Sequence, residues 1–224
     1  MKKIAVTAGL IGCTMMMGGC ALLDKDAGWE PQQSSAISIG EDGTITEYVN
    51  DKLDEDYYSA SELQTMIESE VREYNGQNGE NSVVMKEFKT EGKDVHLTME
   101  YAAAEDYAQF NHTEFYYGSM INAQIAGYLF DVTYNEIENG TVAAAGVSGT
   151  EVLKNMAAEV MVVTAPLEVK VPGNIIFTSE NAQMVSSDDV YASGTAKESS
   201  ASDKEKSFHE KAAEKRVYII FEME

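Results

Sequence analysis

Both cysteines of this chain lie within its first twenty residues, at Cys13 and Cys20. Residues 21–224 therefore cannot form a disulfide, a thiolate metal site or a cysteine nucleophile. The chain has 224 residues, of which 44% are hydrophobic and 24% are charged. That is enough for one compact domain or two small ones. Any fold that the chain adopts must therefore be held together by the burial of apolar side chains.

The chain is strongly acidic, with 16 basic and 38 acidic side chains and a formal net charge of -22. A surface with this charge repels the phosphates of nucleic acids and the headgroups of anionic lipids. The charge therefore excludes a nucleic-acid-binding protein. The hydrophobic fraction is too high for an acidic disordered chain.

The N-terminus has the pattern of a signal peptide. Lys2 and Lys3 are followed by an uncharged run over residues 4–19. A transmembrane helix needs roughly 20 apolar residues, so this run is too short and too rich in glycine for a permanent span. Residues 1–19 are therefore predicted to be a signal peptide that is removed.

The end of this run carries a more specific motif, Met17-Gly18-Gly19-Cys20. It resembles the lipobox of bacterial lipoprotein precursors. The resemblance implies cleavage before Cys20 and a diacylglyceryl thioether on that cysteine. Two acyl chains anchor a protein stably to a membrane. The implied location is the extracytoplasmic face of the cell membrane, with the membrane as partner through Cys20.

We expect residues 20–35 to form the lipidated cysteine and a tether, in which Trp29 is a loosely packed linker residue. Residues 36–224 are expected to form a single domain. A subdomain boundary near residue 135 is left open. Residues 193–207 are small and polar, cannot bury much apolar area, and are predicted to form a mobile loop.

Two hairpins and one helix are the clearest elements of the domain. Alternating apolar residues predict a hairpin over residues 37–49 and a second one over residues 83–101. Ser59 and Glu62 form an S-x-x-E capping box, which predicts a helix start. Apolar residues then recur at helical spacing, and Asn75-Gly76 is expected to end the helix.

Shorter patterns predict the remaining elements. We expect helices at residues 102–110, 119–126 and 150–156, and strands at 115–117, 159–164, 167–171, 174–178, 182–186, 190–192 and 217–221. The last of these is a run of five apolar residues, which should return and pair within the sheet. The predicted fold class is α+β, with a mainly antiparallel sheet, two to four helices and a sheet-rich C-terminal half.

The densest acidic cluster comprises Asp51, Asp54, Glu55 and Asp56. Four carboxylates in six residues supply the hard oxygen ligands that Ca²⁺ prefers, so weak Ca²⁺ binding is one interpretation. The cluster lacks the spacing of a calcium loop, however. It also lies just before the predicted helix start at Ser59, where negative charge is favoured by the helix dipole. Helix electrostatics is therefore the preferred interpretation, and no metal or cofactor is predicted.

Aromatic residues supply a second candidate site. Tyrosine and phenylalanine rings suit the recognition of sugars and peptides, and a candidate ligand surface comprises Tyr57, Tyr58, Phe115, Tyr116 and Tyr117. Core and edge packing is the alternative, because adjacent residues of a strand face opposite sides.

Catalytic motifs are not found in the sequence. It contains no H-E-x-x-H, G-x-S-x-G or S-x-x-K motif. His112, with Glu114 two positions on, is the best candidate for an acid, base or metal ligand. The alternative, that His112 is a surface histidine, is preferred.

Three stretches, over residues 56–63, 99–107 and 171–175, resemble small lipoproteins of low-GC Gram-positive anaerobes. Together with the lipobox, they imply a lipid-anchored extracytoplasmic envelope protein. We expect a non-enzymatic binding or structural module with a protein, glycan or peptide partner. The alternatives are a glycan, peptide or solute receptor that uses the aromatic surface, and an enzyme of unrecognised type.

Overall fold

The computed structural model describes residues 29–33, 35–55, 59–164, 166–193 and 216–223. These ranges contain four helices and thirteen strands. The helices are α1 (Ala60–Asn78), α2 (Ala104–Phe110), α3 (Met120–Ile125) and α4 (Gly149–Val152). The strands are β1 (Ser35–Ile39), β2 (Ile45–Lys52), β3 (Val83–Glu91), β4 (Asp94–Tyr101), β5 (Phe115–Ser119), β6 (Thr133–Glu138), β7 (Thr141–Ser148), β8 (Glu159–Val163), β9 (Leu167–Lys170), β10 (Gly173–Ser179), β11 (Ala182–Met184), β12 (Asp189–Ala192) and β13 (Val217–Met223).

The strands form two sheets. Sheet A has the order β11-β12-β9-β1-β2-β4-β3, and sheet B has the order β5-β8-β13-β10-β6-β7. Within the described ranges, the β1–β9 pair is parallel and the other strand pairs are antiparallel. The predicted α+β class with a mainly antiparallel sheet is confirmed.

The main core lies between the two sheets. Alternate residues of the strands point into it, including Ile37 and Val169 from sheet A and Ile219 and Phe221 from sheet B. Helices α1 and α2 add Ile67 and Tyr107 to the same core. The fold therefore relies on apolar burial, as a cysteine-free domain must.

The other face of sheet B forms a second core with α3 and α4. Met120 and Val152 of these helices pack there with Tyr218 and Ile220 of β13. Strand β13 lies between β8 and β10 and is buried on both faces. Burial on both faces explains the uninterrupted apolar run at its start. The prediction that the last strand returns to the sheet is confirmed.

Helix α1 begins where the capping box predicts, because the Ser59 side chain accepts a hydrogen bond from the Glu62 amide at 3.3 Å. The prediction that Asn75-Gly76 ends it is wrong, since the helix continues to Asn78. Asn75 instead uses its side chain to hold β3. Its Nδ2 donates to the Val83 carbonyl at 2.8 Å, and its Oδ1 accepts from the Val83 amide at 2.9 Å.

Strands β6 and β7 are not predicted by the sequence patterns. Residue 135 lies inside β6, where Asn135 pairs with Thr178 of β10. Exposure of nearly all of β7 removes the alternation that marks a half-buried strand. The turn between the two strands, Asn139-Gly140, has positive φ at both residues (49° and 74°). An Asn-Gly pair is the strongest short hairpin signal, so this hairpin was detectable.

Among the described residues, no helix has the length and apolar character needed to cross a membrane.

Candidate functional site

The described part of the acidic cluster does not converge on a metal site. Asp51 lies near the end of β2, where its Oδ1 accepts from the Lys52 amide at 2.7 Å. Asp54 and Glu55 follow the strand and are exposed, and Asp56 lies outside the described residues. Within the described ranges, no group of three or more His, Cys, Asp or Glu side chains could hold a metal ion.

The predicted aromatic surface is divided by the sheet. Phe115 is buried in the main core, with its ring centroid 4.6 Å from that of Tyr107. Tyr117 stacks on Phe221 of the same core at 6.2 Å. Tyr116 points to the opposite face of β5, as strand alternation requires. Phe115 and Tyr117 therefore lie on one face of β5 and Tyr116 lies on the other, while Tyr57 and Tyr58 lie outside the described part.

Tyr116 belongs to a different group, on the outer side of sheet B. Its ring centroid lies 5.0 Å from that of Tyr128, and the guanidinium of Arg216 lies 5.1 Å from the Tyr128 ring. Arg216 also pairs with Glu114, with Nη2 and Oε1 2.7 Å apart. Glu114 is therefore engaged by an arginine, and His112 sits exposed in the turn after α2 with φ of 49°.

A polar network lies at the edge of the main core. The Tyr101 hydroxyl donates to Oε2 of Glu47, and Asn111 Nδ2 donates to the Tyr101 oxygen at 3.0 Å. Burial raises the pKa of Glu47, and the hydrogen bonds from Tyr101 and Asn111 oppose this shift. Each member of the network has a partner, so the network has the character of a structural element.

The most unusual group of side chains lies on the outer face of sheet A. Residues 29–33, which we call the N-terminal strap, lie across β9, β12 and β2 there. The Trp29 indole Nε1 donates to Asp189 Oδ2 at 3.1 Å, and its ring makes an edge contact with Tyr48 at 5.5 Å. The interpretation of Trp29 as a loosely packed linker residue is therefore wrong, because the indole is held by a carboxylate and by a second ring.

Beneath the strap lie two buried carboxyl groups, Glu168 of β9 and Asp189 of β12. The two residues are 0% and 4% exposed. In the register of the two strands, Glu168 is opposite Tyr191 and Asp189 is opposite Lys170, so the two acids are diagonal neighbours on one face. We call these two residues the carboxyl pair.

One oxygen of each acid is used by the strap. Glu168 Oε2 accepts from the backbone amides of Gln32 and Gln33 at 2.7 and 2.8 Å, and Asp189 Oδ2 accepts from Trp29. The other oxygens, Glu168 Oε1 and Asp189 Oδ1, are buried without a hydrogen-bond partner among the described residues. Burial and the adjacent Glu168 carboxylate raise the pKa of Asp189 to about 7.

Lys170 flanks the carboxyl pair without neutralising it fully. Its Nζ lies 2.8 Å from Oδ2 of Asp188 and 5.9 Å from the centroid of the Trp29 ring. Its charge is therefore shared between an ion pair and a cation–π contact. The attraction of Lys170 lowers the pKa of Asp189, but less than burial and Glu168 raise it.

The carboxyl pair could not be found by strand periodicity. Charged residues that alternate with apolar ones, as in Leu-Glu-Val-Lys over β9, usually mark the solvent face of a strand. This face is covered by a segment more than 130 residues earlier in the chain. The available signal was the lone tryptophan next to the first predicted strand, since a large aromatic side chain is rarely left in a linker.

A further exposed feature is β7, one edge of sheet B. Seven of its eight residues are exposed and none is charged. Two bulges interrupt its pairing with β6, and between them Ala144 and Ala145 lie opposite Glu136 and Asn135. An exposed, uncharged edge strand is a template for pairing with another chain, although bulges limit the length that can pair.

Comparisons of this chain with protein-family models, with curated proteins and with solved structures found no match.

Proposed function

We propose that this chain is a lipid-anchored envelope protein on the extracytoplasmic face of the cell membrane, and that its domain acts by binding a partner. The lipobox-like motif ending at Cys20 supports the anchor. The strap begins nine residues later, at Trp29. Because an extended chain spans at most about 3.3–3.6 Å per residue, the domain would be held within about 30 Å of the acylated sulfur.

The two cysteines provide a matched test of anchoring. Cys20→Ser removes the acceptor of the lipid, whereas Cys13→Ser changes a residue of the predicted signal peptide. In detergent phase partitioning of whole-cell extracts, the wild type and Cys13→Ser should enter the detergent phase and Cys20→Ser should not. A Cys20→Ser protein that still partitions as a processed, lipidated form would contradict the proposal.

The enclosure of the buried acids and phenols favours binding over catalysis. Glu168 and Asp189 are covered by the strap, and Tyr101 and Tyr107 are 0% and 6% exposed. Burial raises the pKa of both tyrosines. Active-site groups with shifted pKa values usually line a cleft that a substrate can enter. These four groups lie where a substrate would first have to displace protein.

The observation that carries the binding role is the open edge at β7. Extended peptides add to such edges through main-chain hydrogen bonds. We infer a partner with an extended basic segment, because β7 itself is uncharged while Glu136 lies beside it on β6. Strands are about 4.8 Å apart, so Glu136 is about 10 Å from an added strand. The small side chain of Ala144 leaves room for a lysine or arginine to reach it.

Crosslinking on intact cells, with identification of the captured proteins, tests this role. Ala144→Lys places a positive charge at the edge and should abolish capture of a basic partner, whereas the neutral control Ala144→Ser should retain it. Equal capture by the wild type and Ala144→Lys would contradict the edge as the binding site.

The receptor alternative is favoured by one observation, the partly exposed Tyr116–Tyr128 pair. Rings with polar tips suit a glycan or peptide ligand. The same crosslinking experiment separates the two sites. Loss of capture in Tyr128→Ala, with retention in Ala144→Lys, would assign binding to the aromatic pair instead of the β7 edge.

A further inference from the structure

The carboxyl pair holds the strap through hydrogen bonds, and the strap in turn shields the pair from water. The strap donates three hydrogen bonds to the pair, from the Trp29 indole and from the Gln32 and Gln33 amides. These bonds satisfy one oxygen of each acid and leave Glu168 Oε1 and Asp189 Oδ1 buried without a donor. A buried carboxylate oxygen without a donor is costly, so the docked state requires a further positive group between the two acids.

A proton fits this position better than a metal ion. A calcium ion takes six to eight oxygen ligands, and within the described residues no group of three or more His, Cys, Asp or Glu side chains could hold a metal ion. One proton placed between Glu168 Oε1 and Asp189 Oδ1 gives each oxygen a hydrogen-bond partner. Two acids that share a proton are the usual outcome when like charges are held together in a dry site.

We propose that the carboxyl pair is a proton-operated latch: with one shared proton it holds the N-terminal strap on sheet A, and loss of that proton releases the strap. When the proton is lost to solvent, two adjacent carboxylates remain under the strap. When the strap lifts, water enters, screens the repulsion between the two carboxylates and hydrates both of them. The strap is the part that moves, because β9 and β12 are each paired on both sides in sheet A.

The direction of the pH dependence follows from the raised pKa of Asp189. A carboxyl whose pKa is higher in the docked state stabilises that state when it is protonated, and this contribution is lost as pH rises. The window runs from the ordinary value of 3.8 to about 7, the value raised by burial and by Glu168. The strap is therefore held at acidic pH and released as pH rises through about 7.

The charged and titratable neighbours do not replace the shared proton. They come from β9, the turn before β12, β12 itself, β2 and the strap, and comprise Lys170, Asp188, Tyr191, Tyr48 and Glu30. Lys170 is the one cation of this set, and it is paired with Asp188. Glu30 is exposed and adds a negative charge to the strap.

Release of the strap would change the reach of the domain. With the strap docked, nine residues of chain separate Cys20 from the docked Trp29, whereas after release fifteen residues separate Cys20 from Ser35, the first residue of β1. The extended length rises from about 30 Å to about 50 Å. This consequence rests on the proposed lipid anchor at Cys20, but the latch itself does not.

The chain has a built-in reporter, because Trp29 is its one tryptophan. We would follow tryptophan emission and acrylamide quenching of the purified full chain between about pH 5 and pH 9. The wild type should show a red shift and an increase of about twofold or more in the quenching constant, with a midpoint near 7. The protection factors of the β13 amides against hydrogen exchange should stay unchanged over the transition, which separates strap release from unfolding.

Two neutral variants keep the proposal falsifiable if one of them fails to fold. In Asp189→Asn and in Glu168→Gln, an amide can donate to the remaining acid and mimic the shared proton. Both should keep Trp29 protected across the pH range, while the control Glu30→Gln should behave like the wild type.

A transition that persists in both variants, or a wild type without a transition, would overturn the latch. A transition that is suppressed by Ca²⁺ and restored by a chelator would assign the site to a cation instead. Each readout is independent of lipidation.

Discussion

Glu47 and Asp189 are both acids with a raised pKa, but their surroundings differ. Burial raises the pKa of Glu47, and the Tyr101 hydroxyl donates directly to its carboxylate, which opposes this shift. Asp189 has an indole donor on one oxygen and a second acid near the other. The Glu47 carboxylate therefore has a hydroxyl donor of its own, whereas docking over Asp189 depends on the proton.

The effect of pH on folding stability also has opposite signs for these buried acids and for the exposed Asp42. Raised pKa values make Glu47 and Asp189 favour the folded state at low pH, and that contribution is lost as pH rises through the folded-state value. Asp42 is the opposite case, because the Thr44 hydroxyl and amide lower its pKa. Its contribution is present at neutral pH and is lost as pH falls through the lowered value.

Glycines in open space provide a test at the scale of single elements. Gly76 lies inside α1 and Gly92 in the β3–β4 turn, and an added Cβ would meet no atom within 4 Å at either position. The backbone alone differs, since Gly92 has φ of 66°. Gly76→Ala should stabilise the protein by about 0.5–1 kcal/mol, and Gly92→Ala should destabilise it by about 1–2 kcal/mol.

Urea denaturation of the two glycine variants at one pH measures both effects. Because neither new methyl group has a neighbour, a packing effect cannot produce the opposite signs. If Gly76→Ala were destabilising, α1 would not pass through Gly76 as a regular helix. A helix that ends at Asn75-Gly76 would then describe the chain better.

Local signals predicted most elements and failed where an element depends on distant residues. The capping box at Ser59 and the alternation in β4 identified their elements because the signal lies within a few residues. The prediction that α1 ends at Asn75 failed because the Asn75 side chain hydrogen-bonds to Val83 across a loop and does not cap its own helix. For β7, exposure of both faces removes the hydrophobic pattern altogether.

The candidate site was harder to predict than the fold for the same reason. Glu168 and Asp189 lie about twenty residues apart on separate strands, and the strap that buries them comes from the start of the domain. Each acid alone has the sequence context of a solvent-facing strand residue. Their chemistry arises only when strand register, strap docking and burial coincide, and no short motif encodes that combination.

At the scale of the whole molecule, the excess of acidic side chains should make stability depend on salt. Self-repulsion in a chain of net charge -22 opposes the compact state. Raising NaCl from about 0.1 M to 1 M shortens the screening length from about 10 Å to about 3 Å. The Tm of the full chain should therefore rise by a few degrees, as measured by thermal unfolding at fixed pH. A fall in Tm would mean that attractive ion pairs, such as Lys170–Asp188, outweigh the repulsion.

A comparison of Tm in CaCl₂ and in NaCl distinguishes general charge screening from a dedicated calcium site in the acidic cluster. If helix electrostatics explains Asp51, Asp54, Glu55 and Asp56, CaCl₂ and NaCl at matched ionic strength should raise Tm equally, because both act by screening. A site would give CaCl₂ an additional shift that saturates with concentration, since binding to the folded state stabilises by mass action. That additional shift should then disappear in an Asp54→Asn/Glu55→Gln variant. An additional shift that survives in this variant would place the ion elsewhere, and the wild-type Trp29 emission would show whether it lies under the strap.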